Sequence, residues 1–125
     1  MKTIINTTNA PAPIGPYNQA VAAGNFIFLS GQIALNPDNG QLVTDDIKAE
    51  TKQVMENIKA ILAEAGIDFS NIVKTSIFLT DMQNFAQVNE VYGTYFKDDF
   101  PARETVQVAG LPKGVNVEIT VTAVK

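Results

Sequence analysis

Two charged residues near the carboxyl-terminal end could carry chemistry. Arg103 is the only arginine in the chain and follows Pro101-Ala102, where a predicted helix gives way to a strand. Its guanidinium presents paired donors that match a carboxylate, so it could orient a small organic acid. Glu118 interrupts an alternating apolar strand pattern, and a partly desolvated carboxylate could act as a general base or hold a water. A surface or interface ion pair for Arg103 and a solvated outer-face position for Glu118 are the structural alternatives.

Four further residues are candidates for a site. Asn89 falls within or beside the apolar stripe of a predicted helix, where its amide needs either a buried backbone partner or a ligand. Tyr17 offers a phenol on a loop rich in proline and glycine. Ser30 offers a hydroxyl beside Gly31, whose backbone a ligand can approach closely. Taken singly, each residue also fits a structural role.

Composition narrows the permitted chemistry. The chain contains no cysteine and no histidine, which removes thiol and Ser-His-Asp catalysis, disulfides and the usual zinc sites. Its net charge of -4 has the wrong sign for a nucleic-acid partner. Glycine-rich phosphate loops are absent, so no nucleotide cofactor is expected. With no signal peptide and no apolar run of the ~20 residues that cross a bilayer, we expect a cytoplasmic protein without a membrane partner.

The elements that must position these residues indicate a single domain, residues 1–125, of α+β class. Period-two and helical apolar patterns predict the order ββαβαββ, with both helices covering one face of a mostly antiparallel sheet. The predicted strands are Gln19–Ala22, Phe26–Leu29, Ile72–Thr80, Thr105–Val108 and Val117–Ala123, and the predicted helices are Asp46–Ala65 and Phe85–Phe96, the first stopped by Gly66 and the second by Phe100-Pro101. Asp81 or Asn84 can cap the second helix.

The second face of the predicted sheet also needs an explanation. In the last strand Glu118, Thr120, Thr122 and Val124 share a face that is mixed rather than charged. Charged residues are only 18% of the chain, against about a quarter in ordinary domains. Both observations favour burial of this face against other subunits.

Taken together and in order, these residues resemble the RidA/YjgF family of reactive-imine deaminases. The segments that carry the resemblance are Gly15-Pro16-Tyr17-Asn18-Gln19-Ala20, Leu29-Ser30-Gly31-Gln32-Ile33, Val88-Asn89-Glu90-Val91-Tyr92, Phe100-Pro101-Ala102-Arg103, Leu111-Pro112-Lys113 and Val117-Glu118-Ile119. They span almost the full chain, and several spaced motifs are far more specific than any one of them.

The resemblance implies a chorismate-mutase-like fold and a homotrimer with clefts between neighbouring subunits. It implies hydrolysis of 2-imino acids, formed from enamines such as 2-aminoacrylate, to 2-keto acids and ammonia, without a metal or organic cofactor. Arg103 is then expected to bind the substrate carboxylate and Glu118 to position the hydrolytic water. The other pocket residues that it implies are Tyr17, Ser30, Gly31, Asn89 and Thr105, the last through its backbone.

Three positions depart from the family pattern. Glu104 stands where many deaminases have a small residue, Thr105 where many have cysteine, and Gly110 where a basic residue is common. Because adjacent strand residues point to opposite faces, we expect Glu104 to point away from Arg103. The alternative function is a non-catalytic trimeric sensor that binds keto acids or amino acids in the same cleft. Some family members are described as ribonucleases or chaperones, and the acidic net charge argues against the first.

Overall fold

The computed structural model describes residues 1–125, which form six strands and two α-helices. In chain order these are β1 (Lys2–Ile5), β2 (Ala20–Ala23), β3 (Phe26–Leu29), α1 (Ile47–Glu64), β4 (Ile72–Leu79), α2 (Phe85–Gly93), β5 (Ala102–Gln107) and β6 (Val117–Val124). Short 3-10 turns at Phe69–Asn71, Met82–Asn84 and Pro112–Gly114 precede β4, α2 and β6.

All six strands form one mixed sheet in the order β1-β2-β3-β6-β4-β5. Only β4 and β5 run parallel, so the predicted α+β class and mostly antiparallel sheet are confirmed. The predicted order ββαβαββ is wrong at its amino end, because β1 precedes the first expected strand. β1 lacks apolar alternation and a flanking turn signal, and it exists through antiparallel pairing with β2, as in Lys2 with Ala23. A short, largely exposed edge strand of this kind leaves little trace in local sequence.

One face of the sheet carries the core. Alternate β6 side chains from Val117 to Ala123 are buried, and α1 covers them with Val54, Ile58 and Ile61. The helices also pack against each other. Alternation in β6 therefore places its apolar residues under the helices and turns its polar residues to the other face.

The opposite sheet face is open in a single copy of the chain. Phe26 and Phe28 stack there with ring centroids 5.9 Å apart, and they are 48% and 44% exposed. Their β6 partners are Val124 and Thr122. The mixed character predicted for the β6 part of this face is confirmed, and its burial against another subunit stays a prediction.

A side-chain cap sets where α1 begins, whereas α2 directly follows a capped 3-10 turn. The Asp46 carboxylate accepts a hydrogen bond from the Ala49 amide at the start of α1, and Gly66, with φ +77°, follows its end. Of the two predicted caps before α2, Asp81 caps the preceding 3-10 turn, whereas Asn84 makes no capping hydrogen bond. Neither helix is long and apolar enough to cross a membrane.

Helix α2 is shorter than predicted. It ends at Gly93, whereas the apolar stripe continues to Phe96 and the break was expected at Phe100-Pro101. The Thr94 hydroxyl donates to the Val91 carbonyl at 2.6 Å, and the Thr94 amide donates to the same carbonyl at 3.1 Å, so Thr94 closes the last turn of the helix. Phe96 still packs against the Tyr92 ring, with a centroid distance of 4.9 Å. The apolar stripe therefore extends beyond the end of α2, because tertiary packing rather than helical periodicity positions its last residue, Phe96.

The cap of α1 provides a stability test. Asp46→Ala removes the acceptor that lies 2.8 Å from the Ala49 amide, and loss of such a cap costs about 1 kcal/mol. Asp45→Ala is the matched control, because Asp45 is an exposed neighbour outside the cap. Chemical denaturation should show a lower midpoint for Asp46→Ala only. Equal midpoints for the two variants would contradict the cap.

Candidate active site

Arg103 is held against the helix side of the sheet by contacts that leave its charge free. Its Nη1 donates to Asn89 Oδ1 at 2.5 Å. Its Cζ lies 5.1 Å from the centroid of the Tyr92 ring and 5.5 Å from that of Phe85. Such cation–π contacts orient a guanidinium without neutralising it. The ion pairs of the chain join Lys48 to Glu90 and Lys74 to Glu104, so Arg103 forms no ion pair within one copy of the chain. The alternative of an ion pair across a subunit interface is not tested by a single copy.

A buried hydrogen bond fixes the Tyr92 ring, and this ring is part of the surface that the Arg103 guanidinium contacts. The Tyr92 hydroxyl lies 2.8 Å from Thr75 Oγ1, and both groups are buried. Burial raises the pKa of Tyr92 above its ordinary value, so the ring stays a neutral phenol next to the guanidinium. Phe85, Asn89, Tyr92 and Arg103 are called the arginine cluster below.

The arginine cluster borders an open cleft of about 490 Å³. The cleft is lined by Asn89, Tyr92, Gly93, Phe100, Pro101 and Arg103. Asn89 and Arg103 are among the site residues predicted from the sequence, whereas Phe85 and Tyr92 are not. Their helical spacing around Asn89 was the available signal, because residues three or four apart share a helix face.

Glu118 lies on the open face of the sheet, beside Gly31. A Cβ atom added to Gly31 would stand 2.9 Å from the Glu118 carboxyl carbon and 3.1 Å from Thr120 Oγ1. Only a residue without a side chain allows this approach. Gln32 and Ile119 exchange two backbone hydrogen bonds, of 2.9 and 3.1 Å, which hold the Gly31 segment over β6. Partial burial raises the pKa of the Glu118 carboxyl above its ordinary value of 4.5.

Ser30 and Tyr17 are joined to this region through one loop. The Ser30 hydroxyl donates to the Asn18 carbonyl at 2.6 Å, which ties the segment beside Tyr17 to the end of β3. The Tyr17 phenol oxygen accepts from the Ile14 amide at 3.4 Å, and its side chain is exposed. Ser30, Gly31 and Glu118 are called the glutamate cluster below.

The structure does not bring the two clusters together within one copy of the chain. Arg103 pairs in register with Thr75 of β4, whereas Glu118 pairs with Phe78. Thr75 and Phe78 are three positions apart, and an odd separation places side chains on opposite faces of a sheet. Arg103 therefore faces the helices and Glu118 faces the open side. The expectation of a pocket shared by both is not met by a single copy.

Glu104 and Thr105 occupy opposite faces of β5. Glu104 faces the open side, where Lys74 Nζ lies 3.0 Å from its Oε1 and the Ser76 hydroxyl donates to its Oε2. The Ser76 hydroxyl and then Lys74 hold the pKa of Glu104 below its ordinary value. The expectation that Glu104 points away from Arg103 is confirmed. Thr105 shares the helix side with Arg103, and its buried hydroxyl has no hydrogen-bond partner.

The close approach at Gly31 can be tested directly. Gly31→Ala should push the Glu118 carboxylate toward solvent and lower its pKa toward 4.5, because desolvation is what raises it. A ¹³C NMR titration of the Glu118 carboxyl measures this shift. Gly110→Ala is the matched control, since a Cβ there meets nothing within 4 Å. An unchanged Glu118 titration in Gly31→Ala would show that the glycine is not needed for the approach.

The comparisons with known proteins agree over the full chain. The family model described as Endoribonuclease L-PSP matches residues 7–125. The chain is 50% identical to the mouse 2-iminobutanoate/2-iminopropanoate deaminase over 125 residues, 100% of this chain and 93% of the mouse protein. The Rid-family protein YyfA from Yersinia pestis is 51% identical, covers 100% of both chains and has a TM-score of 0.98. Escherichia coli TdcF with bound serine is 42% identical, covers 98% of both chains and has a TM-score of 0.94. The chain therefore belongs to the YjgF/RidA family, as its motifs predicted.

Proposed function

We propose that the protein hydrolyses 2-imino acids to 2-keto acids and ammonia. The observation that carries the proposal is the arginine cluster, in which Arg103 is oriented by Asn89 and two aromatic rings and has no carboxylate partner. A guanidinium held in this way at the edge of an open cleft is suited to a substrate carboxylate. The name of the mouse relative, a 2-iminobutanoate/2-iminopropanoate deaminase, supports the same class of substrate.

The reaction requires a fixed orientation of the substrate and the water, and one general base. The oxygen of a water molecule adds to the carbon of the protonated imine while a proton of the water passes to the Glu118 carboxylate. The π electrons of the C=N bond move to the nitrogen. Glu118 returns this proton to the nitrogen of the resulting carbinolamine, the C–N bond breaks with its electron pair leaving on ammonia, and the hydroxyl proton passes to the departing ammonia, which leaves the 2-keto acid and an ionised Glu118. A protonated imine is already electrophilic, so holding its carboxylate and placing the water supply much of the rate. The raised pKa of Glu118 makes it a stronger base than an ordinary glutamate.

We propose further that each site forms between two copies of the chain. The arginine cluster and the glutamate cluster lie on opposite sheet faces of one copy, so a second copy must bring the missing half. The open face with Phe26 and Phe28 is the surface that such an assembly would cover. A homotrimer, which the family resemblance implies, closes with three identical sites of this kind.

Binding without turnover is the second candidate. TdcF was solved with bound serine, an amino acid whose carboxylate is the group that Arg103 is suited to hold. Ribonuclease activity, which the family description names, finds less support in this chain. Its net charge is -4 with a single arginine, whereas binding to a phosphate backbone depends on clustered positive charge.

Mixing two inactive variants tests both the reaction and the shared site. Arg103→Ala loses carboxylate capture and Glu118→Gln loses the base, so each alone should deaminate 2-aminoacrylate-derived imine far more slowly than the wild type. In co-assembled 1:1 mixtures, a site is intact when its arginine comes from a Glu118→Gln copy and its glutamate from an Arg103→Ala copy. Random assembly in a closed ring gives about a quarter of the wild-type sites. A coupled keto-acid assay measures the recovery.

The matched control for this experiment combines Arg103→Ala with the double variant Arg103→Ala/Glu118→Gln, a mixture that contains no intact arginine and should stay inactive. If the first mixture also stays inactive while the wild type turns over, the two residues do not meet across copies. If the wild type itself fails to accelerate imine decay but binds 2-ketobutyrate saturably, the protein is a sensor rather than a deaminase.

Acid should inactivate the enzyme through Glu118. Its carboxylate accepts a proton only when ionised, so kcat/KM falls as the pH drops through its pKa. Because desolvation raises that pKa, the midpoint of the acid limb should lie above pH 4.5. The pH profile of kcat/KM measures it, with Glu118→Gln as the comparison that should lack this limb. A midpoint at or below pH 4.5 in the wild type would argue against Glu118 as the base.

A further inference from the structure

Glu50 of α1 is a buried carboxylate that the proposed chemistry does not use. It is 0% exposed, and neither ion pair of the chain includes it. Its Oε2 accepts from the backbone amides of Asn116 at 2.7 Å and Val117 at 3.1 Å, and its Oε1 accepts from Asn116 Nδ2 at 2.8 Å. Three donors at these distances offset the cost of burying the charge. All three belong to the segment where β6 begins.

Asn116 and Val117, the residues that donate to Glu50, directly precede Glu118. On its amino side, Val117 is held by Glu50, and on its carboxyl side, Ile119 is held by the Gln32 backbone. Glu118 is thus bracketed by one contact from α1 and one from the segment that carries Gly31. The Thr80 amide also donates to the Asn116 carbonyl at 3.2 Å, which ties the start of β6 to the end of β4.

The start of β6 needs such an anchor because of the turn before it. Lys113 and Gly114 both have positive φ, 56° and 70°, so the chain reverses sharply there. A strand that slips by one residue turns every side chain to the other face. Such a slip would move Glu118 from the open face into the core, away from Gly31.

We propose that Glu50 is a positioning residue for the imine hydrolysis: its carboxylate fixes the start of β6 and thereby holds the Glu118 carboxylate over Gly31. The inference rests on the proposed function for its kinetic part only. Glu50 acts through its hydrogen bonds to the start of β6 rather than through its charge. A glutamine at position 50 can keep both backbone bonds with its oxygen, and its amide can donate to Asn116 once the Asn116 amide turns over.

Three variants test the inference. Glu50→Met fills the same space without acceptors and should lower kcat about 10- to 100-fold, the usual result of misplacing a reacting group by about 1 Å. Its dissociation constant for 2-ketobutyrate should stay near the wild-type value, because Arg103 lies on the other face. Glu50→Gln should restore kcat. Thr51→Val is the matched control: it removes a buried 2.7 Å hydrogen bond to the Ile47 carbonyl in the same helix turn and should leave kcat unchanged.

A spectroscopic measurement separates this inference from the proposed function. The Glu118 carboxyl ¹³C resonance, assigned by its absence from Glu118→Gln, should move in Glu50→Met and return in Glu50→Gln, whether or not the wild type turns over an imine. If Glu50→Met does not fold, Glu50→Asp, whose shorter side chain cannot reach all three donors, takes its place. A folded variant with an unmoved Glu118 resonance overturns the inference. So does an equal loss of kcat in Thr51→Val.

Discussion

Pairing on both edges of β6 is the constraint on which most of the molecule depends. β6 lies in the sheet between β3 and β4 and runs antiparallel to both, so its backbone cannot rotate independently of either neighbour. Its side chains then alternate strictly: Ile119 and Val121 enter the core under α1, while Glu118 and Thr120 face the open side. One strand therefore carries both the centre of the core and the carboxylate of the proposed chemistry. The packing that fixes the apolar side chains of β6 under α1 also fixes the position of Glu118 on the opposite face.

The elements that the sequence predicts well are those whose burial follows a regular period. The β6 pattern and the α1 stripe repeat over eight and eighteen residues in the structure, long enough for local sequence to determine which side is buried. β1 was missed because its four residues form a strand only by adding to the edge of β2. The predicted end of α2 is wrong because Phe96 is partly buried by packing on Tyr92 and Phe69, which an apolar stripe cannot distinguish from helical continuation.

The same distinction applies to the candidate site. Residue chemistry singled out Arg103, Glu118, Asn89 and Gly31 as candidates, because residue type and position in a local pattern can be read directly from the sequence. The contact of Arg103 with Asn89 and the approach of Gly31 to Glu118 needed three-dimensional pairing to become visible. The sequence had no means of showing that the two clusters occupy opposite faces, since that depends on the register of β4 with two neighbours at once. Glu104 was the exception: alternation from Arg103 along one strand was enough to place it.

Separation of Arg103 from Glu118 within one copy leaves both able to react. Opposite charges in contact would favour the ionised carboxylate, lower the pKa of Glu118 and occupy the guanidinium. In the structure the sheet keeps them apart: Arg103 bonds to the neutral amide of Asn89, and the pKa of Glu118 is raised by desolvation, with no cation as an opposing cause. In the proposed site, which two copies of the chain form, the substrate carboxylate is the anion that pairs with Arg103. Glu118 then meets an arginine whose charge is already matched, so it can remain basic enough to take a proton from water.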